Sequence, residues 1–458
     1  MKIMTMVMEV EETINKSNMK FKLLAIALLI SVAGFSQNKI WTLQECVDHA
    51  YENNITIKQG QNSLLINEQD IEAAKGNFLP SVSASLSQSM SLGTRTDFFT
   101  GSLIDQTSHT TSGGISVSQS IYNGSLNRLR LEQSKLNYER NVLNQSKIKD
   151  DIGLFVVNAY LNILFAAENL ETAKSQFEFS LKQVLQVKEL VDAGVQPQAN
   201  VFDAEATLAN DEQSVTIAQN NYDLSLLTLA QLLQLPLEGF QVQIVDVGTP
   251  SAAIMYNDVQ PVLSEAFDNR SEIKIAEADI ENSKLNTEIA KSGYLPSVSF
   301  GYGFNSGANF SNLTSTNPFF QQINENKGHN FSVNVGIPIF SRFQNKTNVA
   351  RSKIQEANTA LSLEQAKLDL ESTIQRAFTD AQAALKTYVA AQKSLTSQQL
   401  AFDNAQERYN IGAMNAFDLE QTRIRLINAE ASLINAKYDF VFKTKVLDFY
   451  TGKPITLD

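Results

Sequence analysis

A single cysteine, Cys46, is the only thiol in this chain, which excludes a disulfide framework and any zinc site built on cysteine. Histidine is almost as scarce: His49, His109 and His329 are scattered and share no metal-ligand spacing. Positive charge is the minority sign. A formal net charge of −12 argues against nucleic acid as a main partner. Long hydrophobic runs are missing beyond the N-terminus, so no later segment reads as a membrane-spanning helix. Nor can a nucleophile, a base and an orienting group be nominated together. Cys46 beside His49 in a helical stretch reads as packing, and no cofactor, metal or enzymatic activity is expected.

What is present begins with an address. Lys20 and Lys22 flank the start of an apolar run from Leu23 to Phe35, followed by the small residue Ser36. That is the order of a secretory signal, expected over residues 1–36 and starting at Met19, because Glu9, Glu11 and Glu12 do not suit a charged n-region. No cysteine follows closely, so a lipid anchor is not expected. The chain is read as exported.

Beyond the signal the sequence repeats itself. Leu79-Pro80-Ser81-Val82-Ser83 returns as Leu295-Pro296-Ser297-Val298-Ser299. Upstream, Ala50, Asn53, Ile57, Lys58, Glu72, Ala74 and Lys75 have counterparts in Ala266, Asn269, Ile273, Lys274, Glu288, Ala290 and Lys291. Ser134-Lys135 pairs with Ser352-Lys353, and Gly194 with Gly412. Two half-chains in matching order are a duplicated unit, far longer than a solenoid repeat. The first repeat is assigned to 37–236, a linking segment to 237–261 and the second repeat to 262–458. Within the link, Val242 and Ile244 alternate with Gln241 and Gln243, which predicts a short strand or belt.

Each half carries two stretches of period-two patterning. Val82, Ala84, Leu86, Met90 and Leu92 alternate with serines from Ser81 to Ser91, and Ile115, Val117 and Ile121 alternate with Ser116, Ser118 and Ser120. In the second half Val298, Phe300, Tyr302 and Phe304 alternate with Ser299, Gly301 and Gly303, and Phe331, Val333, Val335 and Ile337 with Ser332, Asn334 and Gly336. One apolar face and one face of small polar residues fit a transmembrane barrel wall, lipid outside and water inside. Gly93–Gly114 and Asn305–Asn330 read as long polar outer loops. Four strands cannot close, and an open edge in lipid leaves backbone groups unpaired. At least two copies are needed to reach the roughly eight strands of the smallest barrels.

After each hairpin the pattern turns helical, from about Gly124 to Val191 and from about Arg342 to Asn410. Each helix is on the order of 100 Å long. Ser341 followed by Gln344 is a predicted capping box for the second. An alanine-rich seam from Leu363 to Leu395 lets neighbouring helices lie close, with a stutter ending at Ile374. Both helices turn at a glycine, Ala193-Gly194-Val195 and Ile411-Gly412-Ala413, before returning helices from about Asn200 to Leu235 and Asp418 to Tyr450. A glycine just past a helix end is the usual left-handed cap.

This combination of duplicated order, Leu-Pro-Ser-Val-Ser motifs and glycine-centred turns resembles the TolC-like outer-membrane efflux factors over the whole mature chain. The resemblance implies a mainly α fold with β: a long α-helical coiled-coil barrel continued by a transmembrane β-barrel, four strands per protomer and twelve in a homotrimer. It implies a passive outer-membrane exit duct of a tripartite system, extending into the periplasm, with a periplasmic adaptor and an inner-membrane pump as partners and membrane lipid around the strands.

The resemblance carries over to the helical tips residue by residue. Gly194, Val195, Gly412 and Ala413 look like the tips that adaptor hairpins meet. Tyr409 resembles a tyrosine of the closed-state contacts, and Asp418 an aspartate ringing the constriction. The family's arginine position holds Met414 here, and two further aspartate positions hold Gln421 and Asn200. That implies a less acidic constriction and a different latch. From the residues alone, Asp418 with Gln421 also reads as a capping box, Asn200 as a cap, and Tyr409 as packing. A periplasmic coiled-coil scaffold or adaptor is the alternative function, although it leaves the four alternating strands without a purpose.

Overall fold

The computed structural model describes residues 39–245 and 258–452. The expected export signal lies outside them, as do residues 246–257 of the linking segment. The first half runs β1 (Ile40–Trp41), α1 (Leu43–Asn53), α2 (Ile55–Gly76), β2 (Ser81–Thr96), β3 (Leu103–Asn123), α3 (Leu126–Asp192) and α4 (Ala199–Leu233). After β4 (Gln241–Val242) the second half follows. It runs α5 (Gln260–Asn269), α6 (Ser271–Ser292), β5 (Ser297–Ser311), α7 (Phe319–Glu325), β6 (Gly328–Gly336), α8 (Gln344–Asn410) and α9 (Ala416–Tyr450). The duplication survives in the lengths. α3 and α8 have 67 residues each, α4 and α9 have 35, and α2 and α6 have 22.

Local chemistry sets the joints. Thr42 caps α1 in a reciprocal box: its hydroxyl accepts from Glu45 N at 3.2 Å, and the Glu45 carboxylate accepts from Thr42 N at 2.9 Å. Asn54 joins α1 to α2, accepting from Thr56 N at 2.9 Å and donating to Leu232 O at 3.2 Å. Its counterpart is the buried Arg270, which grips Glu272 at 3.0 Å, approaches Asp150 at 3.6 Å and lies 4.3 Å from the Phe449 ring centre. The same elbow is held by an amide in one half and by a guanidinium in the other.

No single core exists among the described residues. The largest cluster gathers Cys46, Ala50 and Ile57 with Val156, Tyr160 and Leu164 of α3, Leu229 and Leu233 of α4, and Val242. Three smaller ones follow α8 and α9, around Ile374, around Tyr388 with Phe440, and around Phe402 with Leu419. β4 pairs in parallel with β1, and Tyr160 Oη donates to Gln243 O at 2.6 Å. The predicted strand in the link is therefore real, and its partner is a segment that the sequence pattern did not mark. Contrary to expectation, α3 contains a window apolar enough to cross a membrane by length and composition. Of that window 56% is buried in the fold, because α3 runs through the largest cluster.

The four long strands form one antiparallel sheet in the order β2-β3-β5-β6, with β2 and β6 at its edges. Register puts the apolar positions side by side: Val82 opposite Val117, Val117 opposite Tyr302, and Tyr302 opposite Phe331. On the other face Ser83 meets Ser116 and Ser87 meets Ser112, each at 2.7 Å between hydroxyl oxygens.

The expected outer loops are shorter than predicted. β2 and β3 stay paired up to Thr96 and Leu103, leaving a turn built on the Asp97 carboxylate, which accepts from Phe99 N at 2.9 Å and Thr100 N at 2.8 Å. Ladder hydrogen bonds belong to the backbone, so strands continue where the side chains become uniformly polar. In the second hairpin β5 reaches Ser311, and α7 occupies part of the expected loop.

The Ser341–Gln344 capping box does not form. α8 starts after Arg342 and Phe343, both left-handed (φ +48° and +64°), and the Ser341 hydroxyl accepts from Asn345 N at 3.3 Å. Gly124 and Ser125 adopt the same pair of conformations before α3 (φ +66° each). The elbow geometry is common to both halves, whereas the glycine that eases it is present in only one.

Cys46 is fully buried, and loss of solvation pushes its thiol up to about 12. In folded protein at pH 8 it is expected to resist maleimide, and to react once the chain is denatured. Intact-mass spectrometry before and after denaturation checks this.

Candidate functional site at the helical tips

The glycine turns lie at the opposite ends of α3 and α8 from the strands. Both are Schellman turns. Gly194 N donates to Val191 O at 2.9 Å and Val195 N to Leu190 O at 2.8 Å; Gly412 N donates to Tyr409 O at 3.0 Å and Ala413 N to Arg408 O at 2.8 Å. Both glycines are left-handed, with φ +71° and +73°, and an added Cβ would meet nothing within 4 Å. The backbone conformation, not crowding, selects glycine there. Val195 and Ala413 sit exposed on the turns.

Tyr409 packs at the edge of the Phe402, Ala405, Leu419 and Leu426 cluster, together with Met414. Its hydroxyl accepts from Gln196 Nε2 at 3.4 Å, and Gln196 Oε1 accepts from Asn200 Nδ2 at 3.2 Å. Packing and a cross-helix polar contact coexist. Tyr409 and Asn200 border a cavity of about 240 Å³ between the two helical pairs, shared with Asp203, Phe417 and Glu420. Asn200 lies inside α4 and is not its cap; that place falls to Gln198, which makes no side-chain capping bond.

Asp418 is exposed in the first turn of α9. The predicted Asp418–Gln421 box is absent, because the helix begins earlier and Asn415 is the cap. Asn415 Oδ1 accepts from Asp418 N at 2.8 Å, and its Nδ2 donates to the Asp418 carboxylate at 2.9 Å. A carboxylate in this turn also complements the helix dipole.

A buried ion pair between the helical pairs is not foreshadowed by the sequence. Arg423 of α9 is 4% exposed and is paired with the buried Asp211 of α4. Its guanidinium also donates to Ser180 Oγ of α3 at 3.1 Å and to Glu420 at 3.1 Å, and lies 5.4 Å from the Phe179 ring centre. Ser180 donates to Asp211 as well. Neither charge interrupts a pattern visibly in a sequence rich in polar helix, so only the fold reveals that they are buried together. Farther from the tip, burial pushes the Glu430 carboxyl above its usual range beside a cavity of about 380 Å³.

Removing Asp211 leaves the buried Arg423 with Glu420 as its remaining carboxylate partner, at a cost below that of a fully broken buried pair, about 3–5 kcal/mol. Asp211→Ala is expected to loosen α9 from α3 and α4. Hydrogen exchange should rise across residues 416–430, while Asp211→Leu combined with Arg423→Met recovers most of the protection. Gly412→Ala meets only backbone strain, about 1–2 kcal/mol, so its exchange increase should be confined to the turn.

Comparison with known proteins follows the same architecture. The profile of the outer membrane efflux protein family matches residues 46–234 and 262–453, one segment in each half. Outer membrane protein TolC of Escherichia coli K12 is 22% identical over 434 residues, covering 92% of this chain and 84% of that protein. Pyoverdine export outer membrane protein OpmQ of Pseudomonas aeruginosa is 22% identical, over 62% of this chain and 57% of its own. Among solved structures, CusC superposes with a TM-score of 0.73 at 18% identity, covering 92% of this chain and 96% of CusC. The CmeC outer membrane channel of Campylobacter jejuni gives 0.71 at 19%, covering 91% and 86%. The two matched segments, one in each repeat, account for most of the chain: it belongs to the outer membrane efflux protein family.

Proposed function

We propose that three copies of this outer-membrane exit duct close a twelve-stranded barrel and continue it as a twelve-helix tunnel into the periplasm. The observation that carries this reading is the open sheet. β2 and β6 are free edges of four strands whose apolar positions share one face. In hydrocarbon those edges need partners, and the chain supplies no other strand among the described residues long enough to give them. Threefold closure gives each β2 a β6 from the next copy. A scaffold or adaptor has no use for such a sheet, and family membership sets that alternative aside.

In this reading residues 1–36 direct export and are removed, and the repeats 37–236 and 262–458 are joined across 237–261. A periplasmic adaptor docks at Gly194, Val195, Gly412 and Ala413, and an inner-membrane pump drives transport. Asp418 and Tyr409 narrow the periplasmic entrance. Three exposed Asp418 carboxylates near one axis would favour cations. Arg423 is neutralised within the fold by Asp211 and Glu420, while the tyrosine is tied through neutral Gln196 and Asn200.

Protein extracted by detergent from isolated outer membranes should have the mass of a trimer. A water-soluble monomer absent from that membrane overturns the shared barrel. In planar bilayers the trimer should conduct with a cation preference that Asp418→Asn reduces at unchanged thermal stability. Unaltered selectivity would leave Asp418 as a helix-end residue only.

A further inference from the structure

β6 is too short for the sheet it borders. It has 9 residues where its neighbour β5 has 15, and the β5–β6 ladder ends at the pair Asn305–Gly328. Above that pair α7 takes the place of the missing strand. The buried Gln322 accepts from Asn309 N at 2.8 Å, and Asn326 Nδ2 donates to Gly307 O at 2.7 Å. The backbone edge of β5 is thus satisfied by side-chain amides carried on and beside a short helix.

The same shortfall recurs at the opposite edge. β2 has 16 residues, so the nine-residue β6 of a neighbouring copy leaves at least seven of them without a strand partner. The uncovered part is the outer one, toward Thr96, because β6 ends at Gly336 on the side where the chain leads into α8. In the sheet order, α7 is what stands above β6 and therefore what faces that outer part of the next β2.

We propose that α7 of each copy covers the free outer edge of β2 in the next, with Phe320 seated against Leu92. This interaction rests on the shared-barrel reading and adds a contact to it. Residues 320 and 322 lie roughly 200° apart around a helix, so Phe320 faces away from the β5 edge that Gln322 holds. Phe320 is 84% exposed and Leu92 69% exposed in the single chain, two large apolar groups for which it provides no cover. Asn324, about 40° from Phe320, brings a side-chain amide to the same face, the chemistry that α7 already uses on β5. The occupant of this surface is a second copy of the chain, which makes α7 a clasp at the outer margin of the membrane layer.

The test uses full-length protein in its own outer membrane, a bis-maleimide linker of about 8 Å reach, about the closest approach of packed elements, and two cysteine pairs. Ser87→Cys with Ser332→Cys spans the proposed seam between β2 and β6; Leu92→Cys with Phe320→Cys spans the clasp. Both pairs are expected to yield covalent trimers on denaturing gels, with single-cysteine variants remaining monomeric. Trimers from the seam pair alone would overturn the clasp and leave the barrel standing. If neither pair links, the barrel fails and the clasp with it. Phe320→Asp should also lower the temperature at which the trimer dissociates, whereas Phe320→Tyr should not; equal behaviour of the two would overturn the apolar contact.

Discussion

In hydrocarbon every backbone N–H and C=O must find a partner within protein, and this requirement organises one end of the molecule. Beyond Leu92, where side chains become uniformly polar, the same backbone ladder simply continues. Where β6 stops, amides on and beside a short helix bond the β5 backbone instead. The alternation of apolar and small polar side chains then decides which face meets lipid. Serine, glycine and asparagine dominate the other face, where Ser83–Ser116 and Ser87–Ser112 satisfy one another across strands. Small side chains keep the space beside that wall open.

The helical end obeys a different constraint. Two helices of 67 residues cannot be held by one globular core, so cohesion is divided among separate clusters along their length. Between them the contacts are polar. Gln133 of α3 donates to Asn282 and Asn286 of α6, each at 2.8 Å, and Arg140 forms an ion pair with Asp279. Such contacts fix helix register at a small net gain in stability, since each replaces a bond to water. Between the clusters little apolar area is buried, and directional bonds substitute for it.

Much of this was legible in the sequence because period and repetition are local signals. The two long helices, the four strands, both glycine turns and the strand in the link follow from spacing alone. What escaped depends on distant partners. β1 is two residues long and is defined by its pairing with β4. α7 lies in a stretch that composition marks as loop, and it is ordered by β5. The Arg423–Asp211–Ser180 group joins three helices through residues far apart in sequence, each ordinary in its own segment. Helix starts were misplaced because Asn415, rather than Asp418, provides the capping oxygen. Both residue types cap well, so the sequence could not choose between them.

Duplication also makes the departures from symmetry informative. Where α8 and α9 carry Tyr409, Asp418 and Arg423, the equivalent positions of α3 and α4 carry Val191, Asn200 and Glu205. The turns themselves are alike to within 2° in the φ of their glycines, +71° and +73°. Backbone demands have therefore kept the turns equal, while the side chains around them have diverged in charge and aromatic character. The second helical pair bears the aromatic, the exposed carboxylate and the buried guanidinium, and the first supplies Asp211 and Ser180 to receive that guanidinium. One repeat holds and the other is held. That asymmetry of contacts is imposed on a nearly symmetric backbone.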